Sequence, residues 1–114
     1  MKFKKSRLEP LKITLDGNEY PAFITNGGMM ELEELAGKSF PEIINMYVTE
    51  SYTTKDLMHT TYIALKGGGV EVTLEDLETT GFSIGVVDIL LAALNQYSQV
   101  DNILTPDKES GEKK

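Results

Sequence analysis

The chain's single histidine, His59, is its best-suited group for proton transfer near neutral pH. On a helix, the positions three and four residues away hold Asp56, Lys55, Tyr62 and Ile63. An Asp56–His59 pair has the makings of an oriented general base. That chemistry needs a nucleophile, however; no serine stands in a recognisable nucleophile motif, and cysteine is absent. His59 therefore reads as a surface or half-buried histidine. Carboxylates gather at Glu31, Glu33 and Glu34 and again at Glu71, Glu75, Asp76 and Glu78. Such groups can move protons or hold Mg²⁺ or Ca²⁺. Here they fall on first turns and exposed faces of expected helices, where negative charge suits the helix dipole, and no D-x-D-x-D-G calcium loop is present. Gly27-Gly28 lacks the G-x-x-x-x-G-K-[ST] phosphate-loop pattern, and Gly67-Gly68-Gly69 has Lys66 before the glycines rather than after them. Both groups read as helix punctuation. No catalytic, cofactor-binding or metal-binding residue is assigned, and the chain is not expected to be an enzyme.

The elements that must position these residues belong to one domain. A chain of 114 residues, 40% hydrophobic and 25% charged, has room for one hydrophobic core. Without cysteine there is no disulfide, no thiol catalysis and no zinc site of the cysteine type. The basic start is not followed by an apolar signal-peptide run, so a cytoplasmic location is expected. The net charge of −7 is unevenly spread: residues 1–12 hold five bases against Glu9, a local +4, which leaves −11 for the remainder. A body that acidic repels nucleic acid, whose binding rests on Lys and Arg neutralising phosphates. Residues 1–10 read as a basic, solvated N-terminal arm rather than a docking arm.

Residues 80–100 carry the longest apolar stretch. From Ile84, the residues Val86, Ile89, Leu90, Ala93, Leu94 and Tyr97 follow helical spacing and form one stripe, the central helix of the core, with Ser83 as its N-cap. The run falls short of the roughly 18 apolar residues of a membrane span, and Asp88 and Asn95 interrupt it. At the other end, Leu11, Ile13 and Leu15 alternate with polar residues, and Asp16-Gly17 supplies a tight turn, predicting a hairpin over 11–25. Pro21 marks its return strand as an edge strand. Capping boxes at Ser39…Glu42, Thr53…Asp56 and Thr73…Asp76 start three helices. The reading is a mainly α (α+β) single domain over 11–100: a hairpin, then helices over about 28–36, 40–48, 54–66, 74–80 and 84–97. Residues 101–114 turn polar and read as a disordered tail.

Taken together, ITLDGNEYPAFIT, then GMMELEELAGKSFPEII, then a helix over Lys55–Leu65, a glycine break, TLEDLETTG and an apolar helix over Ile84–Leu94 resemble the tail assembly chaperones of long-tailed bacteriophages and of prophages in Gram-positive hosts. The order and spacing of these pieces over residues 11–97 carry the resemblance. Many relatives place a tryptophan in the third helix; this chain has none, and Tyr62 is expected at the equivalent packing position.

The resemblance implies a non-enzymatic protein of the host cytoplasm, absent from the mature virion. It would bind the tape-measure protein, keep it soluble and help recruit tail-tube protein subunits. A carrier of that kind needs an apolar groove in a charged exterior. Met29, Met30, Met46 and Met58, which can re-pack against varied partners, are the candidate partner-binding residues, together with Tyr62. A homo-oligomer is expected through strand pairing at the Pro21 edge. Neither nucleic acid nor membrane is expected as a partner. The alternatives are a small acidic interaction or regulatory protein, such as an inhibitor of a host enzyme, and another tail-completion protein.

Overall fold

Leu11–Leu15 and Asn18–Ala22 form the two strands β1 and β2 of an antiparallel hairpin, with Ile13 opposite Tyr20 and Leu15 opposite Asn18. The register follows from the turn. Asp16 (φ 51°) and Gly17 (φ 83°) both take positive φ, the two-residue turn whose twist matches that of the strands. Because side chains alternate across a strand, this register turns Ile13, Leu15 and Ala22 inward, where all three are buried. The protein is known here from a computed structural model, which describes residues 11–83 and 85–104. The expected arm (1–10), most of the expected tail and the expected helix start at Ile84 lie outside the described residues.

Five helices follow: α1 (Asn26–Ala36), α2 (Phe40–Val48), α3 (Thr54–Gly67), α4 (Leu74–Glu78) and α5 (Val86–Leu104). The three capping boxes read from the sequence are all formed. The backbone N–H groups of Ser39, Thr53 and Thr73 donate to the carboxylates of Glu42, Asp56 and Asp76 at 2.8, 2.8 and 3.0 Å. In return the cap hydroxyls accept from the third helical N–H, so orphan donors at each helix start are satisfied. The core gathers the inner face of the hairpin and one side of each helix. Among the described residues, Ile13, Leu32, Ile43, Ile63, Leu65, Leu90 and Leu94 are its fully buried large aliphatics, each contributing about 1.5–3 kcal/mol by leaving water.

Several boundaries differ from the sequence reading, each for a local reason. α1 begins at Asn26, because the Thr25 hydroxyl caps it by accepting from the Gly28 N–H at 2.9 Å. Gly27 and Gly28 thus lie inside the first turn rather than before it. β2 ends at Ala22 and α4 at Glu78, where Thr79 and Thr80 turn their hydroxyls back onto the Asp76 carbonyl. α5 begins at Val86: the Ser83 hydroxyl donates to the Thr14 carbonyl at 2.9 Å instead of capping the helix. α5 also continues to Leu104, so residues 101–104, expected to be disordered, are helical.

The largest departure concerns the edge of β2. Gly67 and Gly68, at the end of α3, lie directly against the backbone carbonyls of Phe23 and Pro21, so close that a Cβ on either glycine would collide with them. The Phe23 N–H donates to the Ala64 carbonyl at 2.9 Å. The Pro21 edge, expected to pair with another chain, is covered by the chain's own third helix. The glycines do more than end that helix; they admit the strand.

Candidate partner-binding surface

The five expected partner-binding residues separate once placed in the fold. Met29 (3% exposed) and Met46 (4%) are core residues, packed with Leu32, Ile43 and Ile63, and in this folded state they present no surface. Their helices turn those positions inward because Met29 and Leu32, like Ile43 and Met46, share a face at i, i+3 spacing. Met30 projects outward from α1 and is 69% exposed; among the described residues Val48, at the end of α2, is the other large apolar residue open to solvent. Met58 and Tyr62 are half-buried and stand one turn apart on the same face of α3.

Tyr62 has a defined environment. The Lys66 ammonium lies 4.8 Å from its ring centroid, donates to its hydroxyl at 3.3 Å and pairs with Glu31 of α1 at 3.1 Å. Glu31 and the Tyr62 hydroxyl both hold the Lys66 ammonium protonated above its ordinary range. Exposed pairs of this sort contribute little to stability, because water and salt screen them. Their role here is positional: they hold the aromatic ring against α3. From Tyr62 an open groove of about 590 Å³ runs past Lys66, Val70 and Val72 to Asp76. A second, narrower cavity of about 220 Å³ adjoins it. Its apolar walls are Leu15, Leu65, Val70, Val72 and Leu77, and Asp16, Glu71 and Asp76 stand at its margin.

Sequence reading missed the segment that joins these two hollows. Val70-Glu71-Val72 is too short to be read as a strand, and it is irregular here. The available signal was its alternation, which turns two valines toward the protein and Glu71 toward solvent.

His59 is 8% exposed, more deeply placed than expected, and among the described residues its Nδ1 has no hydrogen-bond partner. Asp56, its candidate orienting partner, is committed elsewhere: its carboxylate caps α3 at Thr53. Beside it, the Tyr47 hydroxyl donates to Thr60 Oγ1 at 2.7 Å, and the Thr60 hydroxyl donates to the Asp56 carbonyl at 2.9 Å. Burial pushes the Tyr47 phenol well above its ordinary value. Three members of the acidic clusters are likewise spent on structure. Glu31 pairs with Lys66, Glu33 accepts from the Phe40 N–H at 2.9 Å, and Asp76 caps α4. Among the described residues, no group of three or more potential ligands is placed to hold a metal ion. No helix of the described residues is long and apolar enough to cross a membrane.

No family model, curated protein or solved structure matches the chain.

Proposed function

We propose that this chain is a tail assembly chaperone of a long-tailed bacteriophage or prophage. It acts without catalysis in the host cytoplasm, binds the tape-measure protein, keeps it soluble and helps recruit tail-tube subunits. The order of elements over residues 11–97 supports this reading through the resemblance drawn from the sequence. The observation that carries it is the groove at the end of α3, where Tyr62, Val70 and Val72 supply the apolar lining. A long helical partner with apolar stripes is recognised by laying such a stripe into a groove of this kind. The acidic exterior keeps the loaded carrier soluble.

The test is co-expression with the tape-measure protein encoded beside this gene, reading the partner's soluble fraction and co-purification. The wild-type chain should solubilise and retain the partner. Tyr62→Ala should weaken retention at least tenfold while the domain stays folded, with a modest loss of thermal stability because the ring is half-buried. Absence of association, with the partner's solubility unchanged, overturns the proposal. One observation favours a second reading, a small acidic regulatory protein. Residues 11–104 contain four bases and fourteen acids, a net −10 that suits a basic target surface. Capture of a basic host enzyme in place of the tape-measure protein would establish it.

A further inference from the structure

The narrow cavity and the open groove meet along one strip of chain. Val70, Glu71, Val72 and Asp76 line both, so a segment seated in the groove reaches the mouth of the cavity. The cavity holds about 220 Å³, below the roughly 300–1,000 Å³ of sites for drug-sized ligands. That is space for one large side chain, and walls made by Leu15, Leu65, Val70, Val72 and Leu77 favour an apolar one. At its margin stand Asp16 from the hairpin turn, Glu71 from the irregular segment and Asp76 from α4, all three exposed. The cap on α4 engages Oδ2 of Asp76, and a carboxylate offers about four acceptor sites, so Asp76 can serve a second donor as well.

An occupant that satisfies both features pairs an apolar side chain with a positive charge beside it. On a helix, side chains three or four residues apart share a face with their Cβ atoms about 5–6 Å apart, so one turn separates such an anchor from its cation. Charge decides among the candidate occupants. Nucleic acid would bring phosphates to three carboxylates and is repelled. The described surface of a second copy does no better: its exposed large apolar residues, Met30 and Val48, have Glu31 and Glu34, and Glu50, as charged neighbours. A helix of a protein partner with basic residues beside its apolar stripe meets both demands.

We propose that the cavity between the hairpin turn, the end of α3 and α4 is the anchor pocket for a helical partner segment in which a large apolar residue lies one turn from a lysine or arginine. The apolar residue enters between Val70 and Leu77, and the cation faces Asp16, Glu71 and Asp76. On the chaperone reading, on which this assignment rests, the segments of the tape-measure protein held by this chain are basic as well as apolar on their docking face. Apolar burial holds such a segment, whereas the exposed carboxylates select and steer it, an effect that salt weakens.

Synthetic peptides that tile the tape-measure protein, titrated against the full-length chain at low salt, test the assignment. The peptides that bind should carry a large apolar residue three or four positions from a lysine or arginine. They should shift the amide signals of Val70, Glu71, Val72 and Leu77 more than those of Ile43 and Met46 in α2. Asp16→Asn combined with Glu71→Gln should weaken these peptides about tenfold, and the deficit should shrink as salt is added. Both positions are exposed, and asparagine tolerates the positive φ of Asp16, so the variant keeps the fold. Exchanging the peptide's own cation for glutamine should bring the same loss with the chain unaltered. If the tape-measure protein is retained while peptides without a cation bind equally well, or while the neutralised chain binds unchanged, the proposal is overturned and the chaperone reading stands. Peptide shifts centred on α2 instead of on the cavity overturn it in the same way. If neither the protein nor any peptide associates, both fall together.

Discussion

At the residue scale, the polar groups that looked most chemical are consumed by structure. Tyr47, Thr60 and the Asp56 carbonyl form a relay in which each hydroxyl donates to the next acceptor, under cover of the ring stack between Tyr47 and Tyr52 at 5.2 Å. Tyr47→Phe leaves Thr60 bonded to the Asp56 carbonyl and removes the hydroxyl's buried bond to Thr60 together with its longer, 3.2 Å bond to that same carbonyl, so unfolding should cost about 1 kcal/mol less, measurable by urea titration. The same substitution should change the alkaline limb of stability. Burial raises the phenol's value in the folded state above the ordinary 10.0, so between those values only the unfolded chain loses this proton. The contribution is fully present below pH 10 and is lost as pH rises through the folded-state value, at about 1.4 kcal/mol per pH unit. Above pH 10, stability should therefore fall more steeply in the wild type than in Tyr47→Phe. What sequence could not supply at this scale was orientation. Helical spacing offered Asp56 to His59, but the Thr53 N–H, three residues back in the same chain, competes for that carboxylate and holds it at 2.8 Å. The methionines divide for a comparable reason: composition cannot tell Met29 from Met30, whereas one residue of helical rotation takes a side chain from core to solvent.

At the scale of elements, the helix starts were legible because caps are local. A serine or threonine and an acid three residues on satisfy each other's backbone whatever the rest of the fold does, and all three boxes formed. The hairpin register was equally local, fixed by the Asp16-Gly17 turn. Contacts distant in sequence were not legible. Ser83 was chemically qualified to cap α5, and nothing nearby revealed that it would bond to Thr14 instead. The glycines ending α3 were recognised as a stop, but their partner, the backbone of β2, is more than forty positions away. Gly68→Ala tests that contact. The added methyl group meets the Pro21 carbonyl and the Ala22 N–H, rigid main-chain atoms that cannot swing aside. It should destabilise the domain by about 3 kcal/mol or more, read from the urea midpoint; at Gly69 no atom obstructs a Cβ, and only its φ of 92° opposes a side chain.

For the whole molecule, charge is the organising quantity. A body of net −10 over residues 11–104 repels itself, and that repulsion weakens with ionic strength as the screening length falls from about 30 Å at 0.01 M to about 8 Å at 0.15 M. The melting temperature of the wild-type chain should therefore rise as sodium chloride is added over that range. A fall would mean that attractive pairs such as Glu31–Lys66 outweigh the repulsion. Overall charge and the mainly helical class were readable from composition and periodicity. The groove beside Tyr62 was not, because its floor is assembled from the end of α3 and an irregular segment whose path no local pattern dictates.

The seating of β2 against Gly67 and Gly68 also fixes when the domain can be completed during synthesis. A ribosome adds about 5–20 residues per second, so the hairpin emerges several seconds before the glycines that close its outer edge. A two-stranded ribbon is marginal by itself in water. Until α3 is complete, the nascent chain carries an open strand edge and an uncovered inner face bearing Ile13 and Leu15. Any pause in translation before residue 68 prolongs that interval, and a chain truncated there would be left with a binding edge that the finished protein no longer has.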